Sequence, residues 1–152
     1  MKRLLFTLFL TFVMLLNAQT LTDYRLLLQK GEDSPVASKT LLESSKRAFD
    51  RTGKPIYEAF FAVGNFFMAK HAMNPISKYS YFNKGKRALE NAVKSDPHNL
   101  EIRFMRYISQ EQTPGILNYS QNISSDRKYI LAEYKKSKDQ DLIKRIKMHL
   151  KL

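Results

Sequence analysis

Nowhere does this chain alternate apolar and polar residues for long enough to make a strand. Spacings of three and four recur instead, cut at intervals by Pro. Such a pattern folds as helices joined at Pro-marked corners. Ser34-Pro35 reads as an N-cap and first helical position, and Gly53 as a stop, for a helix over 35–52 with Leu41, Leu42, Ala48 and Phe49 inward. Pro55 restarts the chain into a segment whose Tyr57, Phe60, Phe61, Val63, Phe67 and Met68 make it the richest core helix. Asn74-Pro75 repeats the signal for a third helix to about Lys94. After Asp96-Pro97 a fourth runs from Asn99 to Gln112, where Thr113-Pro114-Gly115 breaks it.

Residues 116–123 read as a loop or short helical turn, with Ile116, Leu117 and Tyr119 free to pack over the core. Ser124 or Ser125 can cap a helix to about Lys136, and Asp139 a last one to the end. Leu26, Leu27 and Leu28 belong to a further short helix near the start. The expected class is all-α: a compact, repeat-like bundle of antiparallel helix pairs.

The first residues carry a different message. Lys2 and Arg3 precede an apolar run from Leu4 to Leu16, and the small Ala18 follows. This is the pattern of a secretory signal peptide over 1–18, too short to span a bilayer comfortably. Leu16 is bulkier than signal peptidases usually accept at that position, so a retained anchor is the alternative to cleavage after Ala18. The expected location is therefore exported, periplasmic or secreted. Without Cys the chain can form neither a disulfide nor a lipid anchor, so a packed core must hold it together. No Gly/Ser-rich or Pro-rich linker divides residues 19–152, which are read as one domain.

The chain has 26 Lys+Arg against 14 Asp+Glu, and the leader holds two of the bases and no acid, leaving 24 minus 14, or +10, for the rest. Such a charge favours acidic partners: acidic proteins, an anionic membrane or another polyanion. Export argues against nucleic acid. Half of the excess lies in the tail, where Lys135–Leu152 holds seven bases and two acids.

One stretch has a recognisable grammar. In GKRALENAVKSDP the order is Gly85, Leu89, Ala92 and Pro97, and upstream stand Phe60, Val63-Gly64 and Phe67. Together these resemble the second and first helices of a tetratricopeptide repeat, with small residues where two helices approach and large ones on the flanks. The likeness covers Phe60–Pro97. It departs from the family in spacing, because Gly64 and Gly85 are 21 residues apart where the family has about twelve. Since Asn74-Pro75 lies midway, both helices are expected to be about a turn longer, with a protruding corner. Arg103 and Arg106 fall where a following repeat would have aromatic and apolar residues, so a compact bundle is expected rather than a long array. The resemblance implies a groove formed by first helices, here the exposed positions of 56–72 aided by Arg103 and Arg106, that holds a protein or peptide partner.

Three polar sets are candidate sites. Asn99, Arg103, Arg106 and Gln110 form one narrow stripe on an otherwise apolar helix, either a solvated face or a groove where two guanidiniums could hold a carboxylate or phosphate. Glu101 lies inside the apolar arc and reads as a first-turn acid at the free helix N–H groups. At the corner, Lys78, Lys84 and Lys86 interleave with Tyr79, Tyr81 and Phe82; the aromatics fit core packing, with an exposed partner site as the alternative. In the tail, Leu142, Ile143, Ile146 and Leu150 oppose Lys144, Lys147 and Lys151, with Arg145 between them in sequence. That amphipathic helix, 139–152, either docks on the domain or lies on an anionic membrane surface.

Catalysis finds little support. His71, His98 and His149 are scattered, and no HExxH, GxSxG, Cys nucleophile or Gly-rich phosphate loop is present. The expectation is a binding protein with neither catalytic residues, cofactor nor metal.

Overall fold

The computed structural model describes residues 19–152, so the leader lies outside the described residues. These form seven α-helices and, among the described residues, no strand: α1 Leu21–Gly31, α2 Pro35–Thr52, α3 Pro55–His71, α4 Pro75–Ser95, α5 Leu100–Gln112, α6 Ile123–Glu133 and α7 Gln140–Leu150. Short 3-10 turns at Gly115–Leu117 and Tyr134–Lys136 link the last three.

The local chemistry sets the boundaries. Pro stands at the first position of α2, α3 and α4, where its missing N–H costs no hydrogen bond. Side-chain oxygens of Thr20, Ser34, Asn74, Asn99 and Asp139 accept from the free N–H groups behind them. The capping expectation differs at α6, which begins at Ile123, ahead of both Ser124 and Ser125, and follows Asn122 without a side-chain cap.

From α1 to α6 each helix packs on the next, α7 packs on the Tyr134–Lys136 turn, and odd-numbered helices also touch directly, α1 on α3 and α3 on α5. The result is two leaves of helices with α3 central. α3 meets neighbours on most sides, which explains its apolar character nearly all round. The main core joins Tyr24, Leu41, Phe60, Val63, Leu89, Ala92 and Ile102. A second core joins Phe104 and Tyr107 of α5, Ile130 of α6, Tyr134, and Leu142 and Ile146 of α7.

Close helix approach rests on two glycines, in an arrangement that differs from the expectation. A Cβ at Gly85 would sit 2.9 Å from the Ala62 carbonyl oxygen and the Phe66 ring, so Gly85 is the contact point of the α3/α4 pair. At Gly64 a Cβ would meet the Leu42 Cα at 2.9 Å. Gly64 therefore serves α3 against the preceding helix α2, not against α4. The helices on both sides of Asn74-Pro75 are long, 17 and 21 residues, and the corner between them protrudes, with Met73 94% and Ile76 80% exposed.

Candidate functional site

The odd-numbered helices leave a groove of about 1010 Å³ on their shared face. Val63, Phe66 and Phe67 of α3 and Phe104, Met105 and Ile108 of α5 form its floor, with Leu28 of α1 at one side. Lys78, Tyr79 and Phe82 of α4, then Pro114, Ile116 and Leu117, continue the lining beyond the corner. From the other side α7 contributes Arg145 and His149. Periodicity accounts for this surface. α3 and α5 carry apolar residues over more of their circumference than the core can cover, and the uncovered remainder becomes the groove.

α7 is held in place as a wall. Its Leu142 and Ile146 are buried in the second core, while His149 stacks edge-on against Phe104 and Tyr107 and sets a ring nitrogen 2.8 Å from Glu111. A buried ionic clasp secures the start of the helix. Arg25 of α1, 4% exposed, donates from Nε and Nη2 to the two oxygens of Glu101, each at 2.7 Å. The same guanidinium donates to Asp139 at 2.7 Å and Asp141 at 2.9 Å. Glu101 is thus not only a first-turn acid at its helix start; it is buried and pairs with α1. The hydrogen bonds to Glu101 raise the Arg25 pKa despite its burial, and Arg25 in turn holds the Asp139 carboxyl below the usual range.

The stripe on α5 faces inward, not into solvent. Arg106 is buried and donates bidentately to Asp126 of α6 at 2.7 and 2.9 Å, with Glu90 of α4 at 2.8 Å on its remaining nitrogen. Burial opposes the charge, but Asp126 and Glu90 outweigh it and raise the Arg106 pKa. Arg103 pairs with Asp126 as well and lies over the Tyr129 ring. Gln110 is buried against Asn122, and Asn99 caps its helix. None of these four side chains lines the groove. The carboxylate that the two guanidiniums hold is the chain's own.

At the corner, Phe82 packs as expected, against Phe66 and Tyr119. Tyr79, 62% exposed, does not; it stands at the groove mouth beside Lys78, which donates to the Lys70 carbonyl oxygen. Lys84 lies near the half-buried Tyr81 ring, and Lys86 lies over Tyr119. Tyr119 is buried and donates to Glu90 at 2.7 Å; burial first, and that carboxylate second, push its pKa up. In the tail, Lys144, Lys147 and Lys151 point outward, whereas Arg145 is half-buried on the groove side.

Sequence reasoning placed the groove on residues 56–72, and 63–70 do contribute to it. It missed Arg25, Glu90 and Asp126 as ionic partners, and Leu28, Ile108 and Arg145 as lining. The available signal for the clasp was an acid within the apolar arc of α5 and a base within the leucine run of α1. Among the described residues no cluster of His, Asp and Glu is arranged to hold a metal ion, and no helix is long and apolar enough to cross a membrane. Comparison with protein-family models, curated proteins and solved structures finds no significant match.

Proposed function

We propose that this is an exported, non-catalytic interaction module, akin to a tetratricopeptide-repeat unit, that receives an apolar segment of a protein partner in the groove along α1, α3 and α5. One observation carries the reading: an open, mainly apolar groove of about 1010 Å³ whose rim includes the largely exposed Tyr79 and Ile116. A concave, mainly apolar groove of this volume, with a few polar groups at its rim, has the usual form of a binding site. The family likeness supports the same placement, because it puts the partner on first helices, and the groove is lined by the odd-numbered ones.

Ser109 lies half-buried on α5 at the groove edge. Ser109→Trp places an indole in the groove without touching the ionic networks. Retention of a partner from the envelope fraction by the natural protein, and its loss by a folded Ser109→Trp variant, is the expected result. Equal retention by the plugged variant overturns the reading.

A second reading has its own observation. Lys144, Lys147 and Lys151 form an exposed basic edge flanked by Met148 and Leu152, suited to an anionic membrane surface. The apolar face that would enter the membrane is occupied, however, by the domain's own core. Sedimentation with anionic vesicles at low and high salt separates the two, since charge-driven attachment is lost as salt screens it.

A further inference from the structure

Met73, Ile116, Ile76 and Val36 are the four most exposed large apolar side chains among the described residues, at 94%, 92%, 80% and 76%. Single exposed apolar residues are ordinary on a protein surface; a gathering of the most exposed ones is not. All four stand at one end of the bundle. Val36 lies in the first turn of α2, Met73 and Ile76 at the α3/α4 corner, and Ile116 in the turn after α5. Two contacts join the first two of these turns: Lys70 pairs with Glu32 at 3.2 Å, and Nε2 of His71 lies 2.9 Å from the Gly31 carbonyl oxygen. The groove joins the third, since Pro75 and Tyr79 of the corner line it together with Pro114 and Ile116. Val36, Met73 and Ile76 lie outside that lining, so the groove does not account for them. The turns at the opposite end, 52–55 and 95–99, expose no large apolar side chain and carry Thr52, Lys54, Asp96 and His98 instead.

Going beyond the groove reading, we propose that this end of the molecule dips into the surface of a lipid bilayer, with Val36, Met73, Ile76 and Ile116 passing below the headgroups. The four tips stand on three separate turns, with polar residues such as Asp33, Asn74 and Asn118 between them. A folded protein partner needs a continuous complementary surface, whereas a bilayer accepts isolated apolar protrusions. The residues around the tips suit an interface. Tyr79 is largely exposed, and Lys30, Lys70 and Lys78 have long stems that keep their charge among the headgroups while the tips go deeper. Charge is close to balanced here, three lysines against two acids over 30–36, 70–79 and 112–118. The attraction is therefore the burial of apolar side chains and needs no anionic lipid. That separates this contact from the basic edge of α7, where attachment is charge-driven. The groove mouth, rimmed by Tyr79 and Ile116, lies at the same end, where an apolar segment of a partner leaves the membrane.

The test is flotation of the domain, residues 19–152, with vesicles of phosphatidylcholine alone, at low and at high salt; both cores are complete within these residues. The natural domain is expected to float with the vesicles equally at both salt concentrations. Met73→Ser combined with Ile76→Ser should weaken attachment about tenfold or more, and Leu21→Ser, at the far end of α1, should leave it unchanged. Circular dichroism of each variant reports its fold. The chain has no Cys, so a polarity-sensitive dye can be placed singly at Ile116→Cys, or at Lys54→Cys on the opposite end. Vesicles should shift its emission to the blue from Ile116 and not from Lys54. The proposal is overturned by a natural domain that does not float with neutral vesicles, by attachment that requires anionic lipid and vanishes in salt, or by equal shifts from the two dye positions. A folded double variant that floats as well as the natural domain overturns it too. Capture of a protein that the double variant loses, without vesicle attachment, overturns it in favour of a protein partner at this end. Partner retention in the groove is read separately through Ser109→Trp, so either reading can fail alone.

Discussion

Arg25 and Glu101 meet as a two-toothed ion pair, with both guanidinium-to-carboxylate distances at 2.7 Å and both side chains more than nine-tenths buried. Seventy-six residues separate them in sequence. The pair joins α1 to α5, and through Asp139 and Asp141 it also joins α7. Removing one member leaves the other's charge in the core, so Arg25→Met is expected to cost about 3–5 kcal/mol. Glu101→Leu should cost less, because Arg25 keeps its two aspartates. The double variant should recover part of the loss, giving a coupling energy of about 1 kcal/mol or more in a denaturant-unfolding cycle. Additive losses would mean that the pair is not coupled.

The clasp is also sensitive to acid. Arg25 holds the Asp139 carboxyl below its ordinary value of 3.8, so the folded state binds that proton less readily than the unfolded chain. Its contribution to stability is complete above that value and is lost as pH falls through the lower folded-state pKa. Asp139→Asn should therefore flatten the acid limb of the stability curve below pH 4, measured by urea unfolding at several pH values, and leave its shape unchanged near neutrality. Asp139 is partly exposed, so the effect should be modest and should shrink in salt.

Gly64 and Gly85 test the close approach of α3 to its two neighbours. In each case an added Cβ would meet backbone at 2.9 Å, Leu42 Cα or the Ala62 carbonyl oxygen. Either Gly→Ala change should destabilise by about 1–3 kcal/mol, although Ala favours a helix over Gly by up to about 1 kcal/mol. A stabilised variant would show that the helices can move apart freely.

Removal of residues 139–152 takes away Asp139, Asp141 and the buried Leu142 and Ile146, and uncovers Phe104, Tyr107 and Ile130. Burial of the two aliphatic side chains alone contributes about 3 kcal/mol or more. The truncated chain should melt well below the full one, by thermal circular dichroism. Unchanged melting would mean that α7 is an appendage, not a wall of the groove.

The helices were legible because their signals are local: Pro at a first position, a capping oxygen before it, and apolar residues three and four apart. The α3/α4 pair was legible for the same reason, through Gly85 and the spacing of Phe60, Phe67 and Leu89. What could not be read were pairings across long stretches of chain. Arg106 on a polar stripe gives no hint that Asp126 lies opposite, and Arg25 gives none that Glu101 and Asp139 converge on it. An amphipathic stripe tells which residues share a face but not what that face meets. The stripe on α5 therefore reads as a solvated face or an anion-binding groove when it is an internal ionic seam. The groove was half legible: α3 offered its residues, while the walls from α1, α4 and α7 depend on how the leaves stack.

The central claim, that a partner enters between α1, α3, α5 and α7, is tested most directly by site-specific photo-crosslinking in the producing cells. A photoreactive side chain at Gln112, exposed on the groove, is compared with one at Lys39, exposed on α2 and outside it. The expected result is a defined protein adduct from Gln112 and none from Lys39, with the Gln112 adduct lost when Ser109→Trp fills the groove. An adduct from Lys39 alone, or a Gln112 adduct indifferent to the plug, would contradict it.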